Sequence, residues 1–232
     1  YGLYITTVVM SIGFHYFETV NQSLTLQWVD KDKTAHFMGR LLSIKSIASL
    51  LAFSSIWLIM EKLEWSYQST YALFGGLAII FTIIMWLGFP QFPPKSEQRK
   101  ELILRKRYWL FYALTFFSGA RRQIFVVFAG FLMVEKFGYS VADVSALFLI
   151  NYVFNWLFAA KIGKFIGRIG ERKTLIFEYV GLTTLFVCYG LVDNAYLAAG
   201  LYVVDHLFFA LAIAIKTYFQ KIADPIDIAS TA

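Results

Sequence analysis

The sequence predicts an all-α integral membrane protein, a polytopic helical bundle. Three observations carry that prediction. The chain of 232 residues is 59% hydrophobic and only 16% charged, against about 25% charged in soluble domains. Its apolar stretches recur at the length a helix needs to cross a bilayer, roughly 20 residues. Its basic residues gather in alternate connecting segments, as membrane topology places them.

The stretches run over about 3–27, 38–60, 69–89, 108–134, 141–160, 174–192 and 196–219. Helices and closed barrels are the structures that satisfy a backbone in lipid, and these runs are too long and too weakly alternating for barrel strands. Seven spans divide the connections into two groups. The segments 28–37, 90–107, 161–173 and 220–232, with helix-end Arg40, Lys45 and Lys216, hold 17 of the 21 Lys and Arg. The links 61–68, 135–140 and 193–195 hold Lys62 and Lys136. The first group is therefore expected in the cytoplasm. Trp57, Trp65, Trp86, Trp109 and Tyr139 fall near the expected interfaces, as an aromatic belt requires.

The segment 90–107 carries three of the four prolines and six basic residues. It reads as a basic cytoplasmic linker between a part of three spans, 1–89, and a part of four, 108–232. Tyr1 opens directly into an apolar run with no signal-peptide pattern, so the chain is expected to be an interior piece of a longer protein.

Polar residues inside the spans are the functional candidates, because ionisable groups at bilayer depth are costly. In the first span Ser11, His15, Glu18, Gln22 and Thr25 recur every three or four residues and form one helical face. His15 and Glu18, one turn apart, could both titrate and carry a proton; a packing stripe joined by hydrogen bonds is the alternative. In the fourth span the adjacent Arg121 and Arg122 point about 100° apart. Arg122 shares a face with Thr115, Ser118 and Gly119 and is the better candidate to bind a carboxylate or phosphate in a fork. Arg121 is expected either beside it or paired with an acid on a neighbouring helix.

In the seventh span Asp205 and His206 are further candidates for proton coupling, with a fixed Arg–Asp pair as the alternative for Asp205. Lys216, three turns on along the same face, is expected to snorkel to the surface. Asn151 and Asn155 are expected to bond neighbouring helices, and Ser43, Ser46, Ser49 and Ser54 to be small packing residues. Lys45 and Glu178 are expected to snorkel or latch a loop near the cytoplasmic end, and His36 to be solvated.

Several classes are excluded. The net charge of +6 sits in short loops, which speaks against nucleic acid. Cys188 lies in an apolar run with no partner for a disulfide and is read as inert packing. No nucleophile has a placed base, so an enzyme is not expected. His15 with Glu18 falls short of the three or four ligands a metal site takes, and no phosphate-binding glycine loop is present. No cofactor and no metal are expected.

Between the fifth and sixth spans lies Gly163-Lys-Phe-Ile-Gly167-Arg168-Ile-Gly170-Glu171-Arg172-Lys173. This resembles the signature loop of the major facilitator superfamily: a glycine, an Asp, a basic residue, a second glycine and a basic cluster. Gly163, Arg168, Gly170, Arg172 and Lys173 match; Gly167 stands in place of the Asp, and Glu171 in place of the first basic residue of the cluster. A degenerate copy after a central basic linker fits the position between helices eight and nine. The resemblance then implies that the seven spans are helices four to ten of a twelve-helix fold, and that helices four, seven and ten line a central cavity. Those three carry His15, Glu18, Arg121, Arg122, Asp205 and His206. The family contains internal repeats, and a shift of 194 residues aligns Asp30 with Asp224 and Phe14 with Phe208, a weak echo.

The residues and the resemblance together point to a proton-coupled secondary transporter working by alternating access. It would be a monomer in a bacterial-type inner membrane, with a small anionic or amphipathic solute, protons and the bilayer as its partners. Arg122, Arg121, Gln22 and Ser118 would bind the solute; Glu18, His15, Asp205 and His206 would handle the proton. Two alternatives stand beside it. A multidrug or cation exporter would use the acids and aromatics, and a non-transporting scaffold or receptor is hinted at by Gly167.

Overall fold

The computed structural model describes residues 2–89, 96–99, 101 and 104–231. Its helices are α1 Gly2–Trp28, α2 Thr34–Trp57, α3 Tyr67–Gly88, α4 Trp109–Glu135, α5 Val141–Ile169, α6 Glu171–Leu191, α7 Ala195–Phe209, α8 Ile213–Ile222 and the short α9 Ile228–Thr231. A π-helical turn, Leu58–Lys62, closes α2, and a 3-10 turn, Ala210–Ala212, joins α7 to α8 into one broken span. There are no strands among the described residues.

The helix starts follow their capping residues. Ser66 accepts from the Ser69 amide at α3. Ser140 and Asp143 form a reciprocal capping box at α5. Asn194 accepts from the amides of Tyr196 and Leu197 at α7.

Among the described residues, six helical segments are long and apolar enough to cross a membrane: Thr34–Met60, Tyr67–Gly88, Lys106–Glu135, Asp143–Ile169, Glu171–Leu191 and Ala195–Ile222. The sequence predicted seven spans. α1 has the length, at 27 residues, but stands outside that set because its polar stripe lowers its hydropathy.

Two boundaries also differ from the expectation. α5 continues through 161–169, so most of the expected signature loop is helix. Ile166 is fully buried there, Arg168 sits in the last turn, where a cation suits the helix dipole, and Gly170 ends the helix at φ +82°. α2 starts at Thr34, four residues earlier than expected, its hydroxyl donating to the Val29 and Asp30 carbonyls. His36 thereby falls in the first turn of α2, with Nδ1 3.3 Å from the Ala160 carbonyl, and is not free in a loop.

α2 packs closely against α5. The pairs Ala35/Gly39 and Ala159/Gly163 meet antiparallel. A Cβ on Gly39 would strike the Ala159 carbonyl, and one on Gly163 would strike that of Ala35. Small residues four apart allow this backbone approach in a membrane, where packing replaces the hydrophobic drive between helices. Ser43 adds a 2.6 Å hydrogen bond to the Trp156 carbonyl, and Ser46 is buried in the same helix. Trp57, Trp65, Trp86 and Trp109 all stand outward and exposed.

The molecule is tied at its basic end. There Phe219 of α8 stacks on Phe111 of α4 at 4.3 Å between ring centres. Gln220 donates to the carbonyls of Leu26 and Val29 at 2.7 and 2.8 Å, satisfying open acceptors at the end of α1. Leu26 and Gln220 lie 194 residues apart, the spacing of the internal echo. Positions 4–20 of α1 are exposed.

Of the expected linker, residues 90–95, 100, 102 and 103 lie outside the described residues. The others grip the turn after α8. Gln98 donates to the Pro225 carbonyl at 2.8 Å, Arg107 pairs with Asp224 at 2.8 Å, and Tyr108 donates to Asp227 at 3.0 Å. Asp227 is fully buried and also meets Arg99 and Arg105. Burial alone would raise this carboxyl, but the hydrogen bonds from Arg105 and Tyr108 and the charges of Arg105 and Arg99 outweigh it and hold it below the ordinary range.

Candidate functional site: a basic cavity beside a buried ion cluster

A cavity of about 580 Å³ opens between α1, α4 and α8, toward the basic end. Gln22, Thr115, Ser118, Gly119, Arg122 and Lys216 are on its wall. The α4 face that helical spacing assigned to Arg122 is thus the face that lines the cavity. Arg122 is exposed to it, and its guanidinium lies 5.9 Å over the Phe209 ring. No carboxylate is among the described lining residues. Glu18 lies within electrostatic reach of Lys216, as do Lys45 and Arg122.

Lys216 was expected at the surface; the structure turns it into this cavity. The reason is the 3-10 turn at 210–212. Three residues at about 120° each, in place of about 100°, rotate the rest of the span by about 60°. The face shared by Asp205 and Lys216 on an unbroken helix is therefore split between two environments.

Arg121 points the other way, into the bundle of α4, α6 and α7. Its Nη2 is 3.3 Å from Oε1 of Glu178, with 11% of the Arg121 side chain and none of Glu178 accessible. Its guanidinium also lies 5.2 Å over the ring of Phe209. Asp205 is 1% accessible and feels the charges of Arg121 and Glu178.

Of the two readings for Arg121, partnership with an acid on a neighbouring helix is the one the geometry gives. Sequence reasoning assigned Glu178 to the surface by its distance from the helix end, and that was wrong. The signal available was the orphan cation: Arg121 needs a buried acid, and Glu178 is one of the few inside a span.

The remaining candidates scatter. His15 and Glu18 are exposed on α1, His15 edge-on to Phe14 at 5.5 Å. Thr25 is buried and bonds back to the Asn21 carbonyl. His206 is boxed by the rings of Tyr202, Phe209, Phe125 and Phe148 at 4.6 to 5.9 Å. Its Nδ1 is 2.9 Å from the Tyr202 carbonyl, which can only accept, so that nitrogen carries the hydrogen. Asn151 is buried, yet neither of its side-chain polar atoms has a hydrogen-bond partner among the described residues, against the expectation of an interhelical bond. Cys188 is a half-buried free thiol.

In the signature segment Gly163 is the α2 contact and Gly170 the turn. Around Gly167 a Cβ would meet nothing within 4 Å. Arg168, Arg172 and Lys173 are exposed. Glu171, out of place in a basic cluster, pairs with Lys221 at 2.7 Å and suits the N-terminus of α6. No grouping of three or more potential metal ligands occurs among the described residues.

No match was found among curated proteins or among solved structures. The family model described as Major Facilitator Superfamily matches residues 1–229. Among the described residues six helices are long and apolar enough to span a membrane, in accord with that match, and the chain belongs to the major facilitator superfamily of membrane transporters.

Proposed function

We propose that this chain moves a small anionic solute by alternating access, coupled to protons, with the solute held between Arg122 and Lys216. The observation that carries this is the cavity wall: two cations, Gln22, Thr115 and Ser118, and no acid among its described residues. A guanidinium grips a carboxylate or phosphate in a planar fork, and an ammonium adds a point charge. With no fixed counter-ion on the wall, these cations are left to a mobile one.

On this reading α1–α3 end one helical bundle, residues 108–232 begin the other, and 90–107 is the cytoplasmic linker. The tie of Gln220 to α1 and the grip of the linker on Asp224 and Asp227 then join the two bundles at the cytoplasmic end.

The test is uptake or efflux in proteoliposomes against a panel of organic anions. Arg122→Ala abolishes transport, and Arg122→Lys restores part of it. Undiminished transport by Arg122→Ala removes the residue from the mechanism.

One observation favours a second reading. An apolar cavity of about 870 Å³ between α2 and α5 is walled by Phe53, Trp57, Phe148 and Tyr152, suited to an amphipathic cation. Preference for cationic dyes over anions in the same panel would select that exporter reading.

A further inference from the structure

Contacts between the helices give the height of each cavity cation. The broken α7–α8 span runs antiparallel to α4. Phe219 stacks on Phe111 at 4.3 Å, and Phe125 meets Tyr202 and His206 at 5.6 and 5.7 Å. In that register Lys216, three residues before Phe219, stands level with Leu114 and Thr115. Phe209 stands level with Arg121 and Arg122, and its ring is 5.9 Å from the Arg122 guanidinium. α1 runs parallel to α8 and is tied to it where Gln220 donates to the Leu26 carbonyl. Four residues back on each helix, Gln22 is level with Lys216.

The cavity therefore has two polar levels. Lys216, Gln22 and Thr115 form the one nearer the basic end. Arg122 forms the deeper one, with Ser118 and Gly119 between. From Leu114 or Thr115 to Arg122 is about 10–12 Å of helix axis, at about 1.5 Å per residue. Phe111 and Tyr112 make an aromatic floor below Lys216.

One compact anion does not match this layout. A single carboxylate in the fork of Arg122 leaves the Lys216 ammonium uncompensated at the other level. Attraction to the face of Phe209 holds the guanidinium at its own height. Long side chains close part of the axial distance, and the remaining gap is the length of a short diacid. No acid on the described wall competes for either cation. Glu18, one turn from Gln22, acts on Lys216 from off that wall.

We propose that the solute is a dianion with its two charges set apart, a short-chain dicarboxylate lying along α4. One carboxylate takes the fork of Arg122. The other takes the ammonium of Lys216 and the amide of Gln22. The Ser118 hydroxyl faces the chain between them. This rests on the reading of an anion carrier with its site at Arg122 and Lys216, and specifies the number and spacing of the charges it carries.

Calorimetric titration of the purified protein in detergent, at constant ionic strength, tests it. The probes are butyrate, succinate, glutarate, adipate and inorganic phosphate. The best diacid should bind about 10- to 100-fold more tightly than butyrate, the worth of one added charged contact. Lys216→Gln should bring that diacid down to the level of butyrate, and Arg122→Gln should weaken both.

Equal affinity for butyrate and the diacids overturns the proposal and leaves the anion reading standing. So does phosphate binding as tightly as the best diacid, because one compact anion then serves both cations. A folded Lys216→Gln that keeps the full preference for diacids overturns it too. Binding of none of these probes overturns it as well, and the transport panel with Arg122→Ala then decides the anion reading separately. The wild-type comparison is decisive by itself, whether or not the variants fold.

Discussion

The two faces of α4 differ more than any other two regions of the molecule. One face looks to α6 and α7. It is sealed, and its cation, Arg121, is fixed to Glu178. The other looks to α1 and α8. It is open, and its cation, Arg122, shares a cavity with Lys216 and no described acid. Neighbouring residues of identical type have been given opposite work, because one helical step of about 100° carries the side chain from a packed interior to a cavity. The same residue type is tied to an acid in one place and, on the function proposed, holds the solute in the other.

The largest expected effect breaks the sealed face. Arg121→Leu leaves Glu178 and Asp205 without their cation and should cost about 3–5 kcal/mol, as removing one partner of a buried pair does. Thermal unfolding in detergent measures it. Arg121→Leu with Glu178→Leu should recover a large part of the loss; a double variant as unstable as the sum of the single ones would dissolve the pairing.

The α2–α5 seam belongs to the same sealed class. Gly163→Leu drives a side chain into the backbone of Ala35 and should cost about 1–3 kcal/mol. Gly167→Ala, four residues on and facing open space, should instead stabilise by about 0.5–1 kcal/mol. Equal effects at the two glycines would mean that the seam is not tight.

On the open face the expectation reverses. Arg122→Leu should change stability by no more than about 0.5 kcal/mol while transport is lost. A melting shift as large as that of Arg121→Leu would erase the contrast between the faces.

The smallest effect lies at the basic end, where both faces are anchored. The folded Asp227 carboxyl is held below its ordinary range, so its contribution is complete above the unfolded value near 4 and is lost as pH falls through the folded value. Wild type and Asp227→Asn should therefore differ in melting temperature at neutral pH and converge in acid. A gap that persists in acid would mean that Asp227 acts by shape and not by charge.

Much of the fold was legible because lipid leaves a backbone few choices. Composition and span length located the helical segments, and the basic loops gave their order. Errors arose where a local rule met a tertiary contact. The stretch 161–169 is polar enough to read as loop, but Ile166 has a buried seat and the helix runs on to Gly170.

Within the site, the face of Arg122 with Thr115, Ser118 and Gly119 came from helical periodicity alone. Glu178 did not. Its depth suggested the surface, and no local pattern says that an acid will find an arginine more than fifty residues earlier in the chain. Lys216 was misplaced by the 3-10 turn, which has no sequence signature here and shifts the helical phase of α8 against α7.

The sequence by itself determined that this is a helical membrane protein, that two arginines stand within a span, and that they must point apart, since each of these is fixed by solvent and helix geometry over a few turns. Only the tertiary structure decided which arginine is sealed, which acid holds it, and that Lys216 joins the other. Those outcomes depend on the relative rotation of α4, α6 and the broken α7–α8 span, and rotation between helices is set by packing across the bundle.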